Sequence, residues 1–76
     1  MTKRQQLMEY MTQDIIAFIV EDNSIGFDNA MHQFYMSKTY EKLLDEKTGL
    51  YLESAAYVYD IFKTEQERGE ITQIEF

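Results

Sequence analysis

The 76-residue chain has no cysteine, no proline and no tryptophan, only three glycines and a single histidine. Without cysteine there is neither a disulfide framework nor a thiolate zinc site to hold so short a chain together, so stability must come from a packed apolar core. A domain of this size removes only about 60% of its unfolded surface from water, which makes that core demanding to build. With proline absent, the three glycines, Gly26, Gly49 and Gly69, fall where helical periodicity lapses and read as the punctuation of the chain. Basic residues are also scarce: seven Lys and Arg stand against fourteen Asp and Glu, a formal net charge of −7. That balance disfavours nucleic acids and anionic membranes, both polyanions, as partners. The longest apolar run, Ile15 to Val20, is far too short to span a bilayer, and no charged-then-apolar leader opens the chain. The expectation is one soluble, acidic, cytoplasmic domain over 1–76.

What is present reads as helix. Thr2 and Gln5 have capping-box spacing ahead of a helix from about Lys3 to Asp22. Leu7, Met8, Met11, Ile15, Phe18 and Ile19 recur every three or four positions and form its apolar stripe. Its second half is apolar nearly all round, which predicts a central element covered on more than one side. A second helix begins between Gly26 and Asp28, with Asp28 as the expected side-chain cap and Ala30, Met31, Phe34 and Tyr35 inward. Ser37 ahead of Lys38-Thr39-Tyr40-Glu41 reads as a fresh N-cap, predicting a break there and a short third helix to about Asp45 that packs Tyr40, Leu43 and Leu44. One continuous helix over 27–45 is the rival reading. Asp45 to Gly49 is a turn, and Leu50 to Leu52 is a short extended piece. Ser54 caps a last helix to about Arg68, with Ala55, Val58, Tyr59, Ile61 and Phe62 inward and Gly69 closing it in the left-handed conformation. The tail, 70–76, has three apolar side chains without a period and either docks or frays. The fold class is all-α: a small bundle of three to four helices, with room for one short extended segment near 50–52.

Catalytic chemistry finds little footing. His32 is the one side chain naturally poised near neutral pH, and its nearest hydroxyl along the helix is Ser37, already assigned to a cap. The carboxylates Glu21-Asp22, Asp45-Glu46, Glu65, Glu67, Glu70 and Glu75 follow neither a calcium-loop nor an HExxH pattern and read as a solvated acidic face. No glycine-rich loop is available to cradle phosphate. The chain is therefore expected to be non-enzymatic, without cofactor or metal. A helix-turn-helix DNA-binding regulator is the alternative, with Lys38, Thr39, Tyr40 and Lys42 on the reading helix, although Glu41, Asp45 and Glu46 interrupt that basic strip.

The leading expectation is protein association. Six tyrosines and five methionines are more large side chains than so small a core can enclose, and both types are enriched at interfaces. Tyr10, Tyr35, Tyr57 and Tyr59 are the residues expected to contribute. Either self-association as a homodimer or docking to a larger, basic partner would use them, with acidic residues steering from the rim.

Three short patterns carry a resemblance. They are F-Y-x-S-x-T-Y over Phe34 to Tyr40, T-G-L-Y over Thr48 to Tyr51, and Y-V-Y over Tyr57 to Tyr59. From about Asp14 to Glu65 the chain resembles a family of small, uncharacterised bacterial helical domains of unknown function. Some similar domains are encoded beside larger toxin-like proteins, so the resemblance implies an accessory or antitoxin-like partner role. Every residue in these patterns also has a reading in folding alone: a cap at Ser37, a turn at Gly49, inward packing by Tyr40.

Overall fold

Among the described residues, three of the four helices start on a hydroxyl, as their sequences require. The computed structural model of the chain describes residues 2–69. Helices α1 (Lys3–Asn23), α2 (Phe27–Tyr35), α3 (Lys38–Leu44) and α4 (Ala55–Arg68) follow in order, with two 3₁₀ turns, Glu46–Thr48 and Leu50–Leu52, between α3 and α4. At the start of α1 the capping box is complete: the Gln5 amide donates to Thr2 Oγ1 at 3.1 Å and the Thr2 amide to Gln5 Oε1 at 2.9 Å. Ser37 and Ser54 each accept from the amide three residues on, Tyr40 and Tyr57, both at 3.1 Å. Gly69 closes α4 at φ 75°, its N–H donating to the Glu65 carbonyl at 2.7 Å. The chain is thus all-α, and the expected break at Ser37 is present.

The core forms around the all-round apolar half of α1. Ile15, Ile16 and Ile19 meet Ala30 and Phe34 from α2, Leu43 from α3, Leu50 from the second 3₁₀ turn, and Val58, Tyr59, Ile61 and Phe62 from α4. A fully alanine-sized side chain at Ala30 keeps that position completely buried. The molecule extends 32 × 28 × 18 Å. Its thin dimension holds roughly two layers of helices, each about 10 Å across with side chains. A slab that thin has little interior volume, and the rings of Tyr10, Phe27, Tyr35 and Tyr57 lie exposed on it.

Three sequence expectations need correction, and a fourth lies beyond the described residues. Leu50–Leu52 is a 3₁₀ turn, not an extended piece. Gly49 at φ 67° redirects the chain, so that the Leu52 amide donates back to the Gly49 carbonyl and that of Glu53 to Leu50, both at 3.0 Å. Asp28 is not the cap of α2: Gly26 holds that position without a side-chain bond, and Asp28 sits in the first turn. Leu7, Tyr35 and Leu44, assigned to the packed stripes of their helices, are exposed. The segment 70–76, expected to dock or fray, lies outside the described residues.

These placements predict a sharp contrast. Ile15→Ala and Phe34→Ala should each cost about 3–4 kcal/mol, lowering the thermal midpoint of so small a domain by more than about 10 °C. Leu7→Ala and Leu44→Ala should each stay within about 1 kcal/mol. Thermal and urea unfolding followed by circular dichroism checks all four.

Candidate functional site

The corner between α2 and α3 is two residues long, Met36 and Ser37, and it is closed from both sides. From within, buried Ser37 donates its hydroxyl to the Phe34 carbonyl at 2.5 Å while accepting from the Tyr40 amide. From outside, α4 contributes Glu65. One carboxylate oxygen, Oε2, accepts from the Lys38 amide at 2.8 Å; the other, Oε1, accepts from the Thr39 amide at 2.9 Å and the Thr39 hydroxyl at 2.7 Å. Three donors at a helix N-terminus thus meet one anion, the arrangement favoured by both unsatisfied amides and the helix dipole. Glu65 is therefore not part of a solvated acidic face. It anchors the corner.

With the corner held, a file of rings leads from the interior to the surface. Phe62 meets Phe34 with centroids 5.6 Å apart and planes at 72°; Phe34 meets Tyr40 at 5.4 Å and 64°; Tyr40 meets Tyr35 at 4.9 Å. The first two contacts are the edge-to-face geometry that aromatic pairs prefer. Burial, and secondarily the neighbouring Tyr35, pushes the Tyr40 hydroxyl above the usual tyrosine value.

This file ends in an open groove of about 690 Å³ between α1 and α2. One wall is α1, presenting Met8, Thr12 and Ile16 with Gln5, Glu9 and Gln13 beside them. The other is α2, presenting Phe27, Met31 and Tyr35, and Tyr40 closes the trough from α3. Both walls are single helix faces: 8, 12 and 16 on one, 27, 31 and 35 on the other, each spaced four residues apart. The Thr12 hydroxyl is already committed to the Met8 carbonyl at 2.7 Å, so the apolar strip of this wall runs through Met8 and Ile16 with the polar side chains beside it.

A second, smaller pocket of about 450 Å³ has a polar lining that includes Asp22, Gln33, Lys63 and Glu67. Beside it the Tyr59 hydroxyl donates to Asp22 Oδ2 at 2.5 Å, its ring stands 5.2 Å from that of Phe18, and the Lys63 ammonium lies 5.7 Å from the ring centroid. Burial first, then the hydrogen bond to Asp22 and that residue's charge, raise the Tyr59 hydroxyl far above the usual tyrosine value.

The four tyrosines named from sequence do not converge. Tyr35, 45% exposed, lines the groove. Tyr10 and Tyr57 are exposed but do not line it. Tyr59, at 8% exposure, is a core residue with its hydroxyl engaged, so its placement on an interaction face is corrected. Among the groove residues that the sequence reading does not single out for binding are Met8, Ile16, Phe27 and Met31. Their signal was the four-residue spacing on each helix, visible but indistinguishable from core spacing until the two walls are seen to stand apart. His32 is exposed, and Ser37 is buried with its hydroxyl used twice, so the two form no nucleophile–base pair. Among the described residues no cluster of His, Asp or Glu is placed to hold a metal ion, and no helix is long and apolar enough to cross a membrane. No protein-family model, curated protein or solved structure matches this chain.

Two outcomes follow from these bonds. Glu65→Ala should destabilise the fold by about 1–2 kcal/mol and speed amide exchange at Lys38 and Thr39 more than elsewhere, with Glu65→Gln intermediate; hydrogen-exchange NMR reads both. The raised tyrosines contribute stability that is complete below the ordinary value of about 10, because the unfolded chain ionises first, and is lost as pH rises above it. Unfolding free energy should therefore fall above pH 10, and Tyr59→Phe, while costing stability at neutral pH, should flatten that decline.

Proposed function

We propose that the chain is a small, acidic, non-enzymatic interaction module that binds protein through the groove between α1 and α2. The observation that carries this reading is the groove itself: buried Thr12 and Ile16 with half-buried Met8 and Met31 form its deeper part, Phe27 and Tyr35 stand exposed along it, and a file of ring contacts backs it. Large, preorganised aromatic anchors of this kind contribute most of the energy at protein interfaces. Phe27, at 55% exposure, and Tyr35 are the principal anchors, with Met31 between them. Either a second copy, giving a homodimer, or a larger protein would fill the groove. The resemblance to small bacterial domains encoded beside toxin-like proteins favours a cytoplasmic accessory or antitoxin-like role.

The helix-turn-helix alternative loses support at α3. A reading helix offers its first residues to base edges and its N-terminus to phosphate. Here Thr39 is wholly buried and the Glu65 carboxylate occupies the amides that a phosphate would need.

The test is site-specific photocrosslinking in cells of the source organism. A benzophenone amino acid replacing Tyr35 should give abundant protein adducts, whereas the same group at Tyr57 should give few. Equal yields at the two positions would remove the groove as the binding surface.

A further inference from the structure

We infer that the occupant of the groove is an amphipathic α-helix with a basic polar face, belonging to another protein. The inference rests on the groove being a docking surface and adds what docks there.

The shape selects a helix. Phe27 to Tyr35 spans about 12 Å along α2 and Gln5 to Ile16 about 17 Å along α1, which matches two to three turns of a third helix laid between them. Apolar side chains every three or four residues on that helix would meet Phe27, Met31 and Tyr35 in turn. An extended peptide has nothing comparable to bind: the described elements are all helical, their backbone groups are used internally, and no strand edge is presented for an added strand.

The charge selects its sign. Among the described residues Glu9 is the one charged side chain lining the trough, and none of the Lys or Arg among them lines it. On the opposite wall Asp28 follows Phe27, a rotation of about 100° that places it on the outer lip. Acidic residues therefore flank the apolar floor on both sides, within a chain of net charge −7. A basic polar face would meet these lips favourably and be drawn in by the field of the whole molecule. A second copy of this chain would bring another −7 to the same lips.

Two synthetic peptides test this, each of about 18 residues so that helix formation is feasible, with one leucine stripe in common. One carries Lys and Arg on its polar face, the other Glu. Fluorescence anisotropy against the full chain should show the basic peptide binding at least about tenfold more tightly, with affinity falling as salt is raised. Phe27→Ser with Tyr35→Ser should weaken that binding by about tenfold or more, while Tyr57→Ser leaves it unchanged. Glu9→Lys with Asp28→Lys should narrow the preference between peptides severalfold. Equal binding of both peptides, abolished by the Phe27/Tyr35 variant, overturns the basic occupant and leaves groove docking in place. So does a failure of both peptides to bind if the chain sediments as a dimer that this variant splits. No peptide binding by a monomeric chain overturns both readings, and peptide binding that survives the Phe27/Tyr35 variant overturns them equally.

Discussion

A single carboxylate on the last helix decides how the middle of the chain turns. Helix α3 is seven residues long, far below the length at which a helix persists alone in water, so its existence depends on what is done for its ends. Ser37 satisfies one of its leading amides and Glu65 two more, with the Thr39 hydroxyl as a third donor to the same anion. These bonds matter most at Thr39, whose partly buried amide and hydroxyl would otherwise lose their partner. Everything downstream in space follows. With the start of α3 fixed, Tyr40 is held against Phe34 and Tyr35, and the groove acquires a closed end.

Local chemistry was legible in the sequence and long-range chemistry was not. Thr2 with Gln5, Ser37, Ser54 and Gly69 each announce a helix boundary through atoms within a few residues of one another, and each boundary lies where those atoms place it. The isoleucines of α1 announce a central helix because no surface position tolerates apolar residues on every side. Glu65 announces nothing, since its partners are 26 and 27 residues away and a carboxylate in a charged helix looks like any other. Tyr59 fails for the same reason: its hydroxyl needed a partner to be buried, and Asp22 supplies it from 37 residues distant. Leu50 to Leu52 reads as extended from its side chains, yet the positive φ of Gly49 winds it into a turn. The groove is an intermediate case. The stripes that line it are plain in the sequence, but a stripe facing a neighbour and a stripe facing an open trough have one and the same spacing.

The arrangement of rings gives the groove its character. A hydrophobic surface built from mobile side chains adapts to a partner at an entropic cost on binding. Here Tyr35 rests on Tyr40, which rests on Phe34, which rests on Phe62 in the core, so the surface ring is in continuous contact with the interior. Met8 and Met31 on the walls retain three rotatable bonds each and supply the adjustable part. An anchor backed by the core beside pliable walls suits recognition of one apolar feature within variable surroundings.

The bond between Glu65 and the start of α3 also orders events at the ribosome. Synthesis runs from the N-terminus, so the segments of α1, α2 and α3 emerge before the carboxylate that secures their corner has been polymerised. Until then the first turn of α3 has the Ser37 cap alone, and the Lys38 and Thr39 amides lack their anion. The nascent chain can expose the two apolar walls, but it cannot present them as one shaped surface until the final helix has left the exit tunnel.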